Sequence, residues 1–194
     1  FVQFDARRHG TGTQHLRPLL RAVQVRREVQ FAHRKHWDDA PTTRRVWPLG
    51  LKEWASRWYL LALNQPGGAF RSFGLGRMRD LSETGAAFPL QSFDAATYFR
   101  DCFGVTRPDD GTEPVDLELA FTWAQGRYVE DQPLHPSQIT LQRSFEDDEI
   151  SVRLRIYWTH EVLMALLAYG NEVAVLAPAA VQAEVAAAHR TAAG

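Results

Sequence analysis

The stretch Arg57-Trp58-Tyr59-Leu60-Leu61-Ala62-Leu63 constrains the fold more than any other. Successive side chains of a strand point to opposite faces. Here both sets are apolar: Trp58, Leu60 and Ala62 on one side, Tyr59, Leu61 and Leu63 on the other. Such a strand needs cover on both faces, as at the centre of a small barrel. Its neighbours supply the partners. Glu28–His33 alternates as a strand does, Arg34–Thr43 reads as a polar hairpin connection, and Arg44–Gly50 returns as a strand ending in turn residues. Asn64-Gln65-Pro66-Gly67-Gly68 is a turn, and Phe70–Met78 is a further strand with Arg71, Phe73, Leu75 and Arg77 on one face. Four or five short strands within about 55 residues predict a small β-barrel.

A helix is expected ahead of the barrel from Thr13, because Leu16, Leu19, Leu20 and Val23 recur at helical spacing. Thr13 stands where a cap belongs, Pro18 falls in the early turns, and Arg17, Arg21, Arg26 and Arg27 take the polar side. Residues 1–12 read as a leader or linker, and 13–92 as the helix with its barrel. Residues 93–116 read as a short helix (Phe93–Phe103) and a Gly- and Pro-marked linker. Over 117–194 the pattern changes. Leu117–Trp123 is a strand, Gln125–Glu130 a weak helical turn, and Ile139–Phe145 with Ile150–Tyr157 a hairpin. His160–Tyr169 is a helix stopped by Gly170, Val173–Leu176 a strand, and Ala179–Thr191 an Ala-rich helix. The order β-α-β-β-α-β predicts a ferredoxin-like α/β unit, and the chain as a whole is expected to be α+β.

The net charge of -1 conceals a division. Residues 1–79 carry 15 Lys and Arg against 5 Asp and Glu, a net of +10. Residues 80–194 carry 7 against 18, a net of -11. Fields are screened within about 10 Å, so an anionic partner is expected on the first part. The acidic run Glu146-Asp147-Asp148-Glu149 has two readings, a solvated hairpin turn or a surface that docks on the Arg-rich first helix of a partner subunit.

Other classes are excluded or left without support. One cysteine, Cys102, excludes a disulfide framework within the chain and suits a cytoplasmic protein. The longest apolar runs, near Trp58–Leu63 and Val162–Ala168, fall far short of the ~20 residues of a membrane span. No phosphate-binding Gly loop, nucleophile elbow or dinucleotide fingerprint is present. His33, His36, Asp38 and Asp39 cluster, but this spacing places no regular set of ligands on one face, so a polar hairpin tip is preferred to a metal or hydrolytic site. No catalytic residue, metal or cofactor is assigned, and an enzyme is not expected. The chain begins at Phe1 rather than Met, and is expected to be a piece of a longer protein.

The ordered motifs resemble the WYL-domain family of bacterial transcriptional regulators. Trp58-Tyr59-Leu60 stands intact, preceded by Arg44-x-Val46-x-Pro48-Leu49-Gly50-Leu51 and followed by Arg71-Ser72-Phe73-Gly74-Leu75-Gly76-Arg77-Met78. Val152 through the Glu161–Tyr169 helix to Gly170, then Val173-Ala174-Val175-Leu176-Ala177-Pro178, is similar to the extension that follows such domains. The resemblance spans roughly residues 14–190 and implies an Sm-like barrel joined to an α/β extension. It also implies a ligand-responsive regulator that senses an anion, a nucleotide or single-stranded nucleic acid among the candidates. Dimerisation through the extension is implied too, giving a homodimer. Duplex DNA is expected to be read only by a winged helix that this chain does not contain. The chain departs from the family at His33, Gly74 and Gly76, where an aromatic, a basic residue and an acid are common.

The ligand-site candidates are Arg44, Arg71 and Arg77, with His33, Tyr59 and Phe73 as lining groups and Arg45 as an additional cation. A guanidinium fork engages two phosphate oxygens at once, and an aromatic between cations suits a stacked base. The same arginines have a plainer reading, as surface charges or partners of the acidic second half. Trp58 and Leu60 belong to the core, and Cys102 reads as a structural thiol. The expectation is therefore a ligand-sensing, dimerising region of a regulator. The alternative is a protein-interaction module with no ligand.

Overall fold

The protein was analysed as a computed structural model, which describes residues 11–34 and 39–192. The chain divides into two compact units, residues 1–98 and residues 99–194.

The first unit opens with a 3-10 turn at Thr13–His15 and helix α1 at Leu16–Val25. Thr13 does not cap the helix, contrary to expectation: no side chain does, and Gly12 sets the entry with φ 103°. Leu19 and Ala22 are buried, whereas Leu20, which helical spacing assigned to the apolar face, is 50% exposed. Five antiparallel strands follow: β1 (Arg27–His33), β2 (Thr42–Trp54), β3 (Arg57–Gln65), β4 (Ala69–Gly74) and β5 (Met78–Ala87), in the sheet order β4-β3-β2-β1-β5. Strand β2 is longer than expected. It runs through Pro48 because a register shift between Pro48 and Gly50 absorbs the missing N–H. The β2–β3 turn is made by Ala55 and Ser56, both at positive φ, the twist a tight hairpin needs.

The expected strand Phe70–Met78 is broken. β4 stops at Gly74, Leu75–Arg77 form a 3-10 turn, and Met78 begins β5. The expected barrel is not closed either, since β4 and β5 are the two edges of the sheet. Yet only three residues join those edges. Gly74 to Met78 spans at most about 15 Å, whereas the edges of a flat five-stranded sheet lie about 19 Å apart. The sheet must curl, and the Arg34 N–H donates to the Arg77 carbonyl at 3.3 Å, tying the end of β1 to the turn.

The curled inner face holds Val29, Phe31, Val46, Leu60, Ala62, Phe73, Leu75 and Met78, with Leu19 and Ala22 of α1 laid on it. Trp58 packs against the same layer. The outer face is covered by the chain after β5. Phe88 stacks on Trp47 at 5.5 Å, and Phe93 and Tyr98 gather around Phe70. Of the predicted Phe93–Phe103 helix only one turn forms, α2 at Ala95–Tyr98.

The second unit is built from β6 (Val115–Thr122), α3 (Trp123–Asp131), β7 (Ile139–Ser144), β8 (Glu149–Ile156), α4 (His160–Leu167), β9 (Val173–Ala177) and α5 (Ala179–Ala192). The sheet order is β7-β8-β6-β9, all antiparallel. Leu117, Leu119, Phe121, Ile150, Val152, Leu154 and Ile156 form its core with Val129, Val162, Leu166, Val181 and Val185 from the helices. Both carboxylate oxygens of Glu161, in the first turn of α4, face the Val105 N–H, and Oε2 also accepts from Thr106. These bonds fix the entering loop. Cys102 is buried, as a structural thiol would be. Among the described residues, no helix is long and apolar enough to cross a membrane.

Helix α3 is longer than the weak turn expected at Gln125–Glu130. Gly126 lowers helix propensity, but it is what lets α3 lie against β8. A Cβ there would sit 2.6 Å from the Ile150 Cβ. Gly126→Ala is therefore expected to destabilise the protein by about 1–3 kcal/mol despite the better helix former, as read from the urea midpoint.

Candidate functional site

The inner face of the curled sheet changes character along its length. On β1 it presents Val29, Phe31 and His33 in alternation. Across β2, Val46 faces Val29 and Arg44 faces Phe31. Across β3, Asn64 faces Val46; across β4, Arg71 faces Ala62 and Phe73 faces Leu60. Strand pairing thus sets one polar row, Arg44, Asn64 and Arg71, where the apolar layer ends. The Leu75–Arg77 turn adds Arg77. The result is a cleft of about 260 Å³ lined by His33, Arg44, Asn64, Arg71, Ser72, Phe73 and Arg77.

Among the described residues this lining holds three guanidinium groups and no carboxylate. Arg71 donates from Nη1 to its neighbour's carbonyl, Phe70 O, at 2.8 Å. The Nε of Arg44 is shielded from solvent and meets no hydrogen-bond acceptor among the described residues. The Arg77 guanidinium lies over Gly74, where a Cβ would stand 3.1 Å from both Nε and Nη2. The turn that carries Arg77 is seated from behind by two glycines. A Cβ on Gly12 would collide with the Leu75 carbonyl, and one on Gly76 would sit 2.5 Å from the Thr11 hydroxyl. Two of the departures from the family pattern, Gly74 and Gly76, are thus places where Arg77 and its turn need room.

The aromatic groups form the floor. Phe31, His33 and Phe73 meet edge to face, with centroids 5.3 to 6.3 Å apart. His33 and Phe73 are 5% and 6% exposed, so neither ring offers an open face for stacking.

Five of the seven residues singled out from the sequence line the cleft: His33, Arg44, Arg71, Phe73 and Arg77. Arg71, Phe73 and Arg77 do so without sharing one strand, because the turn intervenes. Tyr59 is absent from the lining, since alternation turns it away from Leu60 and Ala62. Arg45 is likewise turned away from Arg44. Its guanidinium grips Glu28 through Nε at 3.1 Å and Nη2 at 2.7 Å. Sequence reasoning missed Asn64 and Ser72. Asn64 had been placed in a turn, although it continues the Leu60–Ala62 alternation by one step. The His33–Asp39 cluster falls partly outside the described residues, at His36 and Asp38. Among the described residues no group of His, Cys, Asp or Glu is arranged to hold a metal ion.

Family models match both units. A WYL domain matches residues 14–83, which include every residue of the cleft, and a WCX domain matches residues 113–193. The chain belongs to the WYL-domain family. Among solved structures, Proteasome accessory factor B/C of Arthrobacter aurescens is similar at 23% identity. The match covers 90% of this chain and 26% of that one, with a TM-score of 0.41. A CRISPR Cas-related protein is similar at 12% identity, covering 91% of this chain and 49% of that one, with a TM-score of 0.48. This chain therefore spans about a quarter and about half of the two proteins. No curated protein matches the sequence.

Glu28 accounts for Arg45 in structural terms. The residue is 5% exposed, and its carboxylate also accepts from Thr84 Oγ1 at 3.0 Å and Trp47 Nε1 at 3.2 Å. Burial pushes its pKa up, but the donors Arg45, Thr84 and Trp47 outweigh burial and hold it below the usual glutamate range. A carboxylate lowered on folding contributes stability above its unfolded pKa and loses it as pH falls through the folded one. Glu28→Gln is expected to cost about 1–2 kcal/mol at neutral pH, the low end for charged hydrogen bonds because Arg45 is screened. Urea unfolding of both proteins should show the gap closing once the pH drops below that lowered value.

Proposed function

We propose that this chain is the ligand-sensing region of a WYL-type transcriptional regulator and that the arginine-lined cleft binds an anionic ligand, a nucleotide or single-stranded nucleic acid. The observation that carries this reading is the convergence of Arg44, Arg71 and Arg77 on one small cleft with no carboxylate among the described residues of its lining. Like charges held close together repel, and an anion between them offsets that cost. Three guanidinium groups and the Asn64 amide suit phosphate oxygens, since each fork engages two acceptors. Because the Phe31–His33–Phe73 set is closed on itself, the ligand is gripped through its phosphates rather than through a stacked base.

The surrounding architecture fits this role. A helix followed by five curled antiparallel strands supports the Sm-like reading of the first unit. The sheet order β7-β8-β6-β9 supports the ferredoxin-like reading of the second. In this reading the chain works in the cytoplasm as a homodimer and has no catalytic role. Ligand binding biases the arrangement of two subunits by binding one state more tightly than the other. Duplex DNA is read by a domain outside this chain. A module without a ligand gives no account of the shielded Nε of Arg44, which meets no acceptor among the described residues.

Fluorescence anisotropy with a labelled, phosphorylated oligo-thymidine tests the proposal. Binding is expected at low salt, with affinity falling as salt rises. Arg77→Ala and Arg44→Ala should each weaken it about tenfold, the effect of losing one charged hydrogen-bonding partner. Exchanging thymidine for adenosine should change it little. Absence of binding at low salt, or an unchanged affinity in Arg77→Ala, would overturn the proposal.

A further inference from the structure

Helix α1 carries a second feature unrelated to the cleft. Arg17, Leu20, Arg21 and Gln24 form a stripe along its outer side, at the spacing that brings helical residues onto one face. With Pro18 and Glu83 they line an open groove of about 610 Å³. Leu20 is 50% exposed in it, although α1 places Leu19 and Ala22 fully in the core. The first turn of α1 contains no acidic side chain, so its positive helix end and Arg17 lie together without a counter-charge from the helix itself. The lining includes one carboxylate, Glu83, and two guanidinium groups, Arg17 and Arg21.

The second unit presents the complementary surface. The β7–β8 hairpin ends in Phe145-Glu146-Asp147-Asp148-Glu149. Phe145 is 77% exposed, yet its ring is held in place, edge-on to Trp123 at 5.4 Å. Glu146, Asp147 and Asp148 are exposed beside it. The tip is thus a fixed aromatic flanked by acids, and the groove is an exposed leucine flanked by arginines. Exposed aromatics with fixed rotamers make economical contact residues, and opposite charges at the rim set register and partner choice.

We infer that the α1 groove receives the β7–β8 hairpin tip of a second copy of this chain. Phe145 of the second copy would then pack on Leu20 and Pro18, and its acids would face Arg17 and Arg21. Every chain offers both surfaces, so in a closed pair related by a two-fold axis the contact forms twice.

The test is sedimentation equilibrium on the intact chain at several salt concentrations. A dimer is expected, weakened by salt because the paired charges are exposed. Arg21→Glu should raise the dissociation constant about tenfold or more, and the combined Arg21→Glu/Glu146→Arg variant should return to within about threefold of the original. Leu20→Ser, at an exposed position, should weaken the dimer without changing the circular dichroism spectrum. Three results would overturn the inference: a monomer at every concentration, a dimer indifferent to Arg21→Glu, or a charge swap that restores nothing.

Discussion

The three-residue connection Leu75–Arg77 is the constraint on which the first unit depends. It joins the two edge strands of a five-stranded sheet over a reach shorter than the sheet's flat width, so the sheet curls. Curling creates an inner face, the inner face buries Leu60, Val46 and Phe31, and the same turn delivers Arg77 to the mouth of that layer. The turn is itself seated by Gly12 and Gly76, which allow backbone to approach backbone where any Cβ would intrude. Two glycines thus connect the start of the described chain, the curvature of the sheet and the position of one cation.

Adjacent residues on β2 show how strictly strand alternation assigns roles. Arg44 points inward and its Nε meets no acceptor among the described residues; Arg45 points outward and is paired twice with Glu28. Composition treats the two as equivalent. Their environments do not: one charge is spent within the fold, and the other faces a cleft with no carboxylate among the described residues of its lining. The charge excess of residues 1–79 is therefore unevenly available, and a count of arginines overstates what a ligand meets.

Much of this was legible in the sequence, and the failures have identifiable causes. The strand Arg57–Leu63, apolar on both faces, was read from alternation alone, and its four buried residues Leu60 to Leu63 follow directly. The succession of strands and helices in the second unit was likewise read from its pattern. The end of β4 was not legible. Phe70–Met78 alternates perfectly as text, and only the short link between sheet edges turns Leu75–Arg77 into a 3-10 turn. The strand expected over Arg44–Gly50 runs on to Trp54, because a bulge absorbs Pro48. Thr13 looked like a cap, but Gly12 at positive φ and a preliminary 3-10 turn displaced it. In the site, Arg44 and Arg71 lie on paired strands, so alternation alone assigns their face, whereas Arg77 is delivered by the turn. Asn64 was hidden because its turn-like composition outweighed its parity with Leu60 and Ala62.

The aromatic residues mark where reading by composition misleads about recognition. Phe73 between Arg71 and Arg77 looked like a stacking platform, yet its ring closes an edge-to-face set with Phe31 and His33. Opening that set to admit a base would expose buried rings, at a cost of about 1.5–3 kcal/mol for each large side chain brought to solvent. Arg44 works in the other direction. Its shielded guanidinium N–H meets no acceptor among the described residues, and an anion reaching it supplies one. The cheaper route for a ligand is to satisfy the arginines and leave the aromatic floor intact. Selectivity in such a cleft then rests on the number and spacing of negative oxygens, a property that phosphate groups supply and an isolated base does not.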